Sequence, residues 1–127
     1  MTEGPIFQIG SQQASRDIYN IARDLNISQN SSREDMTKVI EAIRYKISES
    51  NLEEKSKEKI DNHLDNVTIK LKDKNPDKES IADSIKQTNE ILKEAKTTGE
   101  SLKDIGALIA KAALWLGTTA AKLGWIF

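Results

Sequence analysis

The chain has 127 residues, which is enough for one small domain with a modest core. Its 19 basic and 20 acidic side chains nearly cancel, and aromatic residues make up 5%, so the composition lacks the basic field and the aromatic platform of nucleic-acid-binding proteins. The absence of cysteine excludes disulfides, thiolate nucleophiles and cysteine-ligated zinc sites.

The residue types divide the chain into three zones. Residues 1–32 are rich in Gln, Asn, Ser and Ile, residues 33–100 are dense in Lys, Glu and Asp, and residues 101–127 are apolar and rich in small residues. We predict an all-α protein, a small bundle of three to four amphipathic helices with an apolar C-terminal helix and a polar N-terminal arm that is able to form strands. The first residues carry neither a basic nor an apolar leader, so we expect a cytoplasmic protein.

The N-terminal arm contains an imperfect repeat. The segment from Arg16 to Ile21 is echoed by the segment from Arg23 to Ile27 with one residue omitted. Its apolar residues fall on one face of a helix, but the same run of Ile, Tyr and Asn also suits short strands stacked in register. The sequence leaves helix and strand open for residues 16–27.

The segment Phe7-Gln8-Ile9-Gly10 has the pattern apolar-Gln-apolar-Gly. It resembles the core of the RHIM-like amyloid signalling motifs that bacterial and fungal immune proteins carry at their termini. The resemblance covers about 22 residues of the arm. It implies that an upstream protein or a second copy templates stacked strands in this arm, and that the protein is a small membrane-disrupting effector in bacterial defence. The residues that would assemble are Phe7, Gln8, Ile9, Gly10, Ile18, Asn20, Ile21 and Asn26.

The middle zone has the apolar spacing of three helices. The predicted buried faces are Met36, Val39, Ile40, Ile43 and Ile47; then Leu52, Ile60, Leu64, Val67 and Leu71; then Ile81, Ile85, Ile91, Leu92 and Ala95. Such narrow apolar faces gain little in isolation and therefore predict helices that pack on one another.

Short polar side chains mark the expected helix starts. Ser31 and Ser32 precede acidic residues at capping-box spacing, and Ser50 or Asn51 is expected to cap the second helix. Asn75 followed by proline is expected to cap the third. The segment Thr97-Thr98-Gly99 interrupts the pattern before Ser101, which is expected to cap a fourth helix.

The last 23 residues, from Ile105 to Phe127, carry only two charges. As one helix rising ~1.5 Å per residue they reach across a hydrocarbon core of roughly 30 Å. On that helix Asp104, Lys111, Thr118 and Lys122 share one polar side. The expected membrane-contacting residues are Leu108, Ile109, Lys111, Trp115, Leu116, Lys122, Leu123 and Trp125, and the expected close-packing positions are Ala113, Gly117 and Ala121.

Three placements of this segment remain open. It is a buried terminal helix of the bundle, a helix that lies in a membrane interface or inserts when triggered, or a constitutive tail anchor. The absence of a basic cluster after Lys122 weakens the third.

Nothing in the chain predicts catalysis, a metal or a cofactor. His63 is the only histidine, and no carboxylate lies at the Glu-x-x-His spacing of a helical metal site. The chain also lacks a glycine-rich phosphate loop and a Gly-x-Ser-x-Gly elbow. We therefore expect a protein that is not an enzyme.

The leading hypothesis is an assembly-dependent effector, membrane-disrupting or pore-forming, whose arm receives the signal and whose C-terminal segment engages the inner face of the membrane. Its partners would be a second copy or an upstream signalling protein, together with membrane lipid and without nucleic acid. The alternative is a soluble helical-bundle adaptor or inhibitory partner protein with the C-terminal helix buried in its core.

Overall fold

The computed structural model describes residues 17–95 and 100–125, with the side chains of residues 100 and 101 left out. The regular secondary structure of these residues is helical, and no strand occurs among them. The helices are α1 (residues 17–24), α2 (Arg33–Glu49), α3 (Glu54–Leu71), α4 (Lys78–Ala95) and α5 (Glu100–Leu116), followed by a short 3-10 helix (Ala120–Leu123). The predicted all-α bundle is confirmed; the helical part of the arm makes five helices instead of three to four.

The bundle consists of two helix pairs joined through α2 and α3. The closest packing is between α3 and α4 and between α2 and α5, whereas α4 and α5 touch only slightly. Helix α1 lies on α2, where the ring of Tyr19 is 6.4 Å from the ring of Tyr45 and 4.2 Å from the ammonium of Lys46. The groove between α4 and α5 is therefore left to be closed by another part of the chain.

The predicted apolar faces form the core. All five predicted residues of α2 are buried, and so are Leu52 and the predicted residues of α3. In α4, Ile81, Ile85 and Leu92 are buried, whereas Ile91 is only half-buried and Ala95 is exposed. The positions next to them in the α4 core are polar, because Ser84, Thr88 and Asn89 are also buried.

The cap of α2 is predicted correctly, but the cap of α3 is not. The hydroxyl of Ser32 accepts a hydrogen bond from the backbone N–H of Asp35 at 3.1 Å. Ser50 closes α2 instead of opening α3, because its hydroxyl donates to the carbonyl of Ile47 at 2.6 Å. Helix α3 begins after Glu53, whose side chain makes no capping hydrogen bond.

Asp77 caps α4, two residues after the Asn75 that the sequence suggested. One carboxylate oxygen of Asp77 accepts from the backbone N–H groups of Glu79 at 3.1 Å and Ser80 at 3.3 Å. The other accepts from the Ser80 hydroxyl at 3.1 Å. These hydrogen bonds, those from Ser80 first, hold the pKa of Asp77 below its ordinary value.

The apolar C-terminal segment is not one continuous helix. Helix α5 ends at Leu116 because Gly117 adopts a φ of +76°, and the N–H of Thr118 then bonds to the carbonyl of Ala113 at 3.0 Å, as at a glycine-terminated helix end. Residues 117–125, here called the C-terminal strap, turn back along α5 through the 3-10 helix and Gly124 at a φ of +94°. Within the described ranges, no helix has the length and apolarity needed to cross a bilayer.

Candidate functional site

Trp115 is the point at which the arm, α4 and α5 meet. Its side chain is 3% exposed, and its indole N–H donates to the carbonyl of Ser31 at 2.9 Å. The ammonium of Lys78 lies 4.3 Å from the centre of the ring and donates to the carbonyl of Trp115 at 2.8 Å. Because a lysine near the last carbonyls of a helix complements the helix dipole, Lys78 also stabilises the end of α5.

The polar side of α5 faces the rest of the bundle. The ammonium of Lys111 donates to the carbonyl of Leu25 in the arm, and the carboxylate of Asp104 lies 3.2 Å from the ammonium of Lys46 on α2. The four residues predicted to share one polar side of a continuous helix therefore do not lie on one helical face. Asp104 and Lys111 serve internal contacts, whereas Thr118 and Lys122 lie beyond the end of α5.

The outward face of α5 is nearly uncharged. Lys103, Ala107, Ala110 and Leu114 follow at helical spacing and are all exposed, Leu114 to 56%. Since charged residues make up 31% of the chain, an exposed helical face with one lysine and three apolar residues is unusual for this protein.

The strap fills the groove between α4 and α5. Leu123 is 1% exposed, and its carbonyl accepts from the side-chain amide of Asn89 at 2.7 Å. The indole of Trp125 packs closely against Gly106, where an added Cβ atom would come within 2.6 Å of the indole nitrogen. The side-chain oxygen of Asn89 is buried and has no hydrogen-bond partner among the described residues.

The predicted membrane and packing residues are thus distributed over core and surface. Leu108, Ile109, Trp115 and Leu123 are buried, Lys111, Leu116 and Trp125 are half-buried, and Lys122 is exposed. Ala113 is buried on α5, whereas Gly117 terminates that helix and Ala121 is exposed in the strap. The three close-packing positions do not share one helical face, since the positive φ of Gly117 separates them.

Residues 17–24 of the arm are helical, whereas residues 25–32 connect α1 to α2 without regular secondary structure. Ile18 is half-buried, whereas Asn20, Ile21 and Asn26 are exposed, and Ile21 reaches 46% exposure. Ala22 and Ile27 anchor this part in the core. The remaining predicted assembly residues, Phe7, Gln8, Ile9 and Gly10, lie outside the described residues, as does the interruption at Thr97-Thr98-Gly99.

The described side chains do not form a group of metal ligands. In residues 17–95 and 102–125, no three His, Asp or Glu side chains are grouped as metal ligands, and His63 is half-buried on α3. A surface depression of about 440 Å³ lies beside the start of α4, lined by Asp77, Glu79, Ser80, Ala82, Asp83 and Lys86. Its acidic side chains are those expected near the positive end of a helix dipole.

Comparison of the chain with protein-family models, with curated proteins and with solved structures finds no match.

Three of the contacts between the arm, α4, α5 and the strap are difficult to predict from the sequence. Asn89, Lys78 and the carbonyl of Ser31 belong to no recognisable motif. Their hydrogen-bond partners lie 34 to 84 residues away in the chain. Asn89 offers one signal: it lies among the apolar positions of α4, where a polar side chain needs a partner.

Proposed function

We propose that this protein is a non-enzymatic, assembly-dependent effector that acts on membranes, and that the described bundle is its resting form. The observation that supports the proposal is the connection between arm and α5. Two arm carbonyls, those of Leu25 and Ser31, accept hydrogen bonds from the side chains of Lys111 and Trp115. The segment with the assembly-like motif is thereby bonded to the most apolar helix.

Assembly of the arm as stacked strands would remove these contacts. A strand advances about 3.3 Å per residue and a helix about 1.5 Å, so residues 17–24 cannot keep their place on α2 while they form strands. In a stacked strand the arm carbonyls would also bond to neighbouring copies. Lys111 and Trp115 would then lose their acceptors, and an unsatisfied buried donor costs about 1–3 kcal/mol.

An α5 released in this way would have few polar groups to keep it in water. Its inner face carries Leu108, Ile109 and Ala112, and its outer face already exposes Ala107, Ala110 and Leu114. Beyond Asp104 the only charged residue of α5 is Lys111, and a helical segment that is apolar on most sides is favoured inside a protein or a membrane. We therefore place the site of action at the inner face of a membrane, where several copies would bring their α5 helices together and keep Lys111 away from lipid.

Dye release from vesicles that contain phosphatidylglycerol tests the proposal. Lys111→Met removes the bond to the Leu25 carbonyl and should increase leakage, because it weakens the resting form. Lys103→Met makes the same change in charge on the exposed face of α5 and is the matched control. If Lys111→Met and Lys103→Met change leakage equally, or if neither variant causes leakage, the proposal is overturned.

The burial of Leu108, Ile109 and Ala112 favours a second candidate function, a helical-bundle adaptor in which α5 remains the core. In that case the arm would bind an upstream protein without releasing α5. Lys111→Met would then lower the free energy of unfolding while vesicle binding and leakage stay at the level of protein-free controls.

A further inference from the structure

The groove between α4 and α5 exists because these helices touch only slightly, and the strap fills it. Leu123 enters the groove with its side chain, and Gly124 lies against Asn89 on the α4 side. Trp125 covers Gly106 on the α5 side. The strap therefore occupies this groove as a docked peptide would, with one buried leucine and one bound carbonyl.

The connection between α5 and the strap is short and depends on a glycine. Only residues 117–119 separate the end of α5 from the 3-10 helix, and Gly117 holds the turn at a φ of +76°. No described element follows the strap, so its movement displaces no other described helix. Short connections of this kind favour exchange of a terminal element between copies.

The docking of the strap carries a cost. The amide of Asn89 donates to the Leu123 carbonyl at 2.7 Å, but its side-chain oxygen is buried without a partner. This oxygen therefore lacks the hydrogen bonds that it would make in water. The contact that holds the strap is therefore weaker than a fully satisfied one, and it would be equally weak with an exchanged strap.

We propose that the α4–α5 groove is an interface between copies of this chain, in which the strap of one copy docks in the groove of a second. The groove already accepts this peptide, so an exchanged strap would make the same contacts. The three-residue connection reaches about 10 Å when extended. The two grooves would therefore face each other across a two-fold axis, and the exchange would be reciprocal. The exchange is argued from α4, α5 and the strap, and its disulfide test does not depend on vesicle leakage, although Gly117 packs against Gln29 of the arm.

Disulfide trapping tests the exchange, and the absence of native cysteine removes background. Full-length Asn89→Cys is mixed with full-length Leu123→Cys and mildly oxidised. A disulfide between the two different chains should form several times faster than in the control mixture of Asn89→Cys with Leu114→Cys, because Leu114 lies on the outer face of α5. Hetero-disulfide at the rate of the control mixture would overturn the proposal.

Two further variants keep the test decisive. The double variant Asn89→Cys, Leu123→Cys should close a disulfide within one chain, which verifies that the substituted chains fold and that the pair has suitable geometry. If this pair does not close, Ile85→Cys, one helical turn before Asn89 on the same side of α4, replaces Asn89→Cys in both mixtures. Gly117→Val disfavours the positive φ and sets a side chain against Gln29 of the arm, so it should open the connection and increase the hetero-disulfide yield. An unchanged hetero-disulfide yield in Gly117→Val would contradict the exchange.

Discussion

Trp115 shows that the same side chain can suit two different environments. An indole has an apolar body and one N–H donor, so it suits a membrane interface and equally a bundle core that supplies an acceptor. Here the acceptor is the carbonyl of Ser31, 84 residues away in the chain. Local spacing predicts that α5 is apolar, but it contains no information about this acceptor.

Trp115→Phe should lower the free energy of unfolding by about 1–3 kcal/mol, because it leaves the Ser31 carbonyl without its donor inside the bundle. Urea denaturation followed by far-UV circular dichroism measures the loss. Leu114→Ala is the neighbouring control and should change stability by no more than about 0.5 kcal/mol, since Leu114 is 56% exposed. Equal losses in the two variants would mean that the indole hydrogen bond contributes nothing.

At the scale of the helix, apolar spacing predicts the elements better than their ends. The buried faces of α2 and α3 follow directly from the sequence, because helical periodicity and burial have the same cause. The helix ends depend on which of several neighbouring polar residues makes the capping hydrogen bonds, as when Asp77 caps α4 in place of Asn75. The end of α5 depends on Gly117, which lies within a run of apolar residues and is therefore hard to recognise as a helix terminator.

The cap of α4 gives a prediction in acid. Because hydrogen bonds to its carboxylate lower the pKa of Asp77, the folded state is stabilised above the ordinary carboxyl pKa of about 4. That stabilisation is lost as the pH falls through the lower pKa of the folded state. Asp77→Asn retains a capping oxygen that does not titrate. Its thermal midpoint should therefore fall less steeply below about pH 4 than that of the wild type, and parallel profiles would contradict the assignment.

At the scale of the whole molecule, the sequence predicts the bundle but not its connections. The pairing of α2 with α5 and of α3 with α4 leaves a groove, and neither the groove nor the strap that fills it follows from helix periodicity. The arm lies on the α2–α5 pair through Tyr19, Leu25 and Ser31. The described contacts of the arm therefore place it beside α5, as the proposed function requires.

Hydrogen exchange of the full chain tests this connection. Ala22→Asp puts a charge at a fully buried position of α1 and should detach the arm. Amide exchange should then rise in residues 17–31 and also in α5 and the strap, because Lys111 and Trp115 lose their acceptors, while the α3–α4 pair stays protected. Ile21→Asp introduces the same charge at the neighbouring exposed position and should leave α5 protected. Faster exchange confined to residues 17–31 would show that the arm does not hold α5, and uniformly faster exchange would show that the bundle unfolds as one unit.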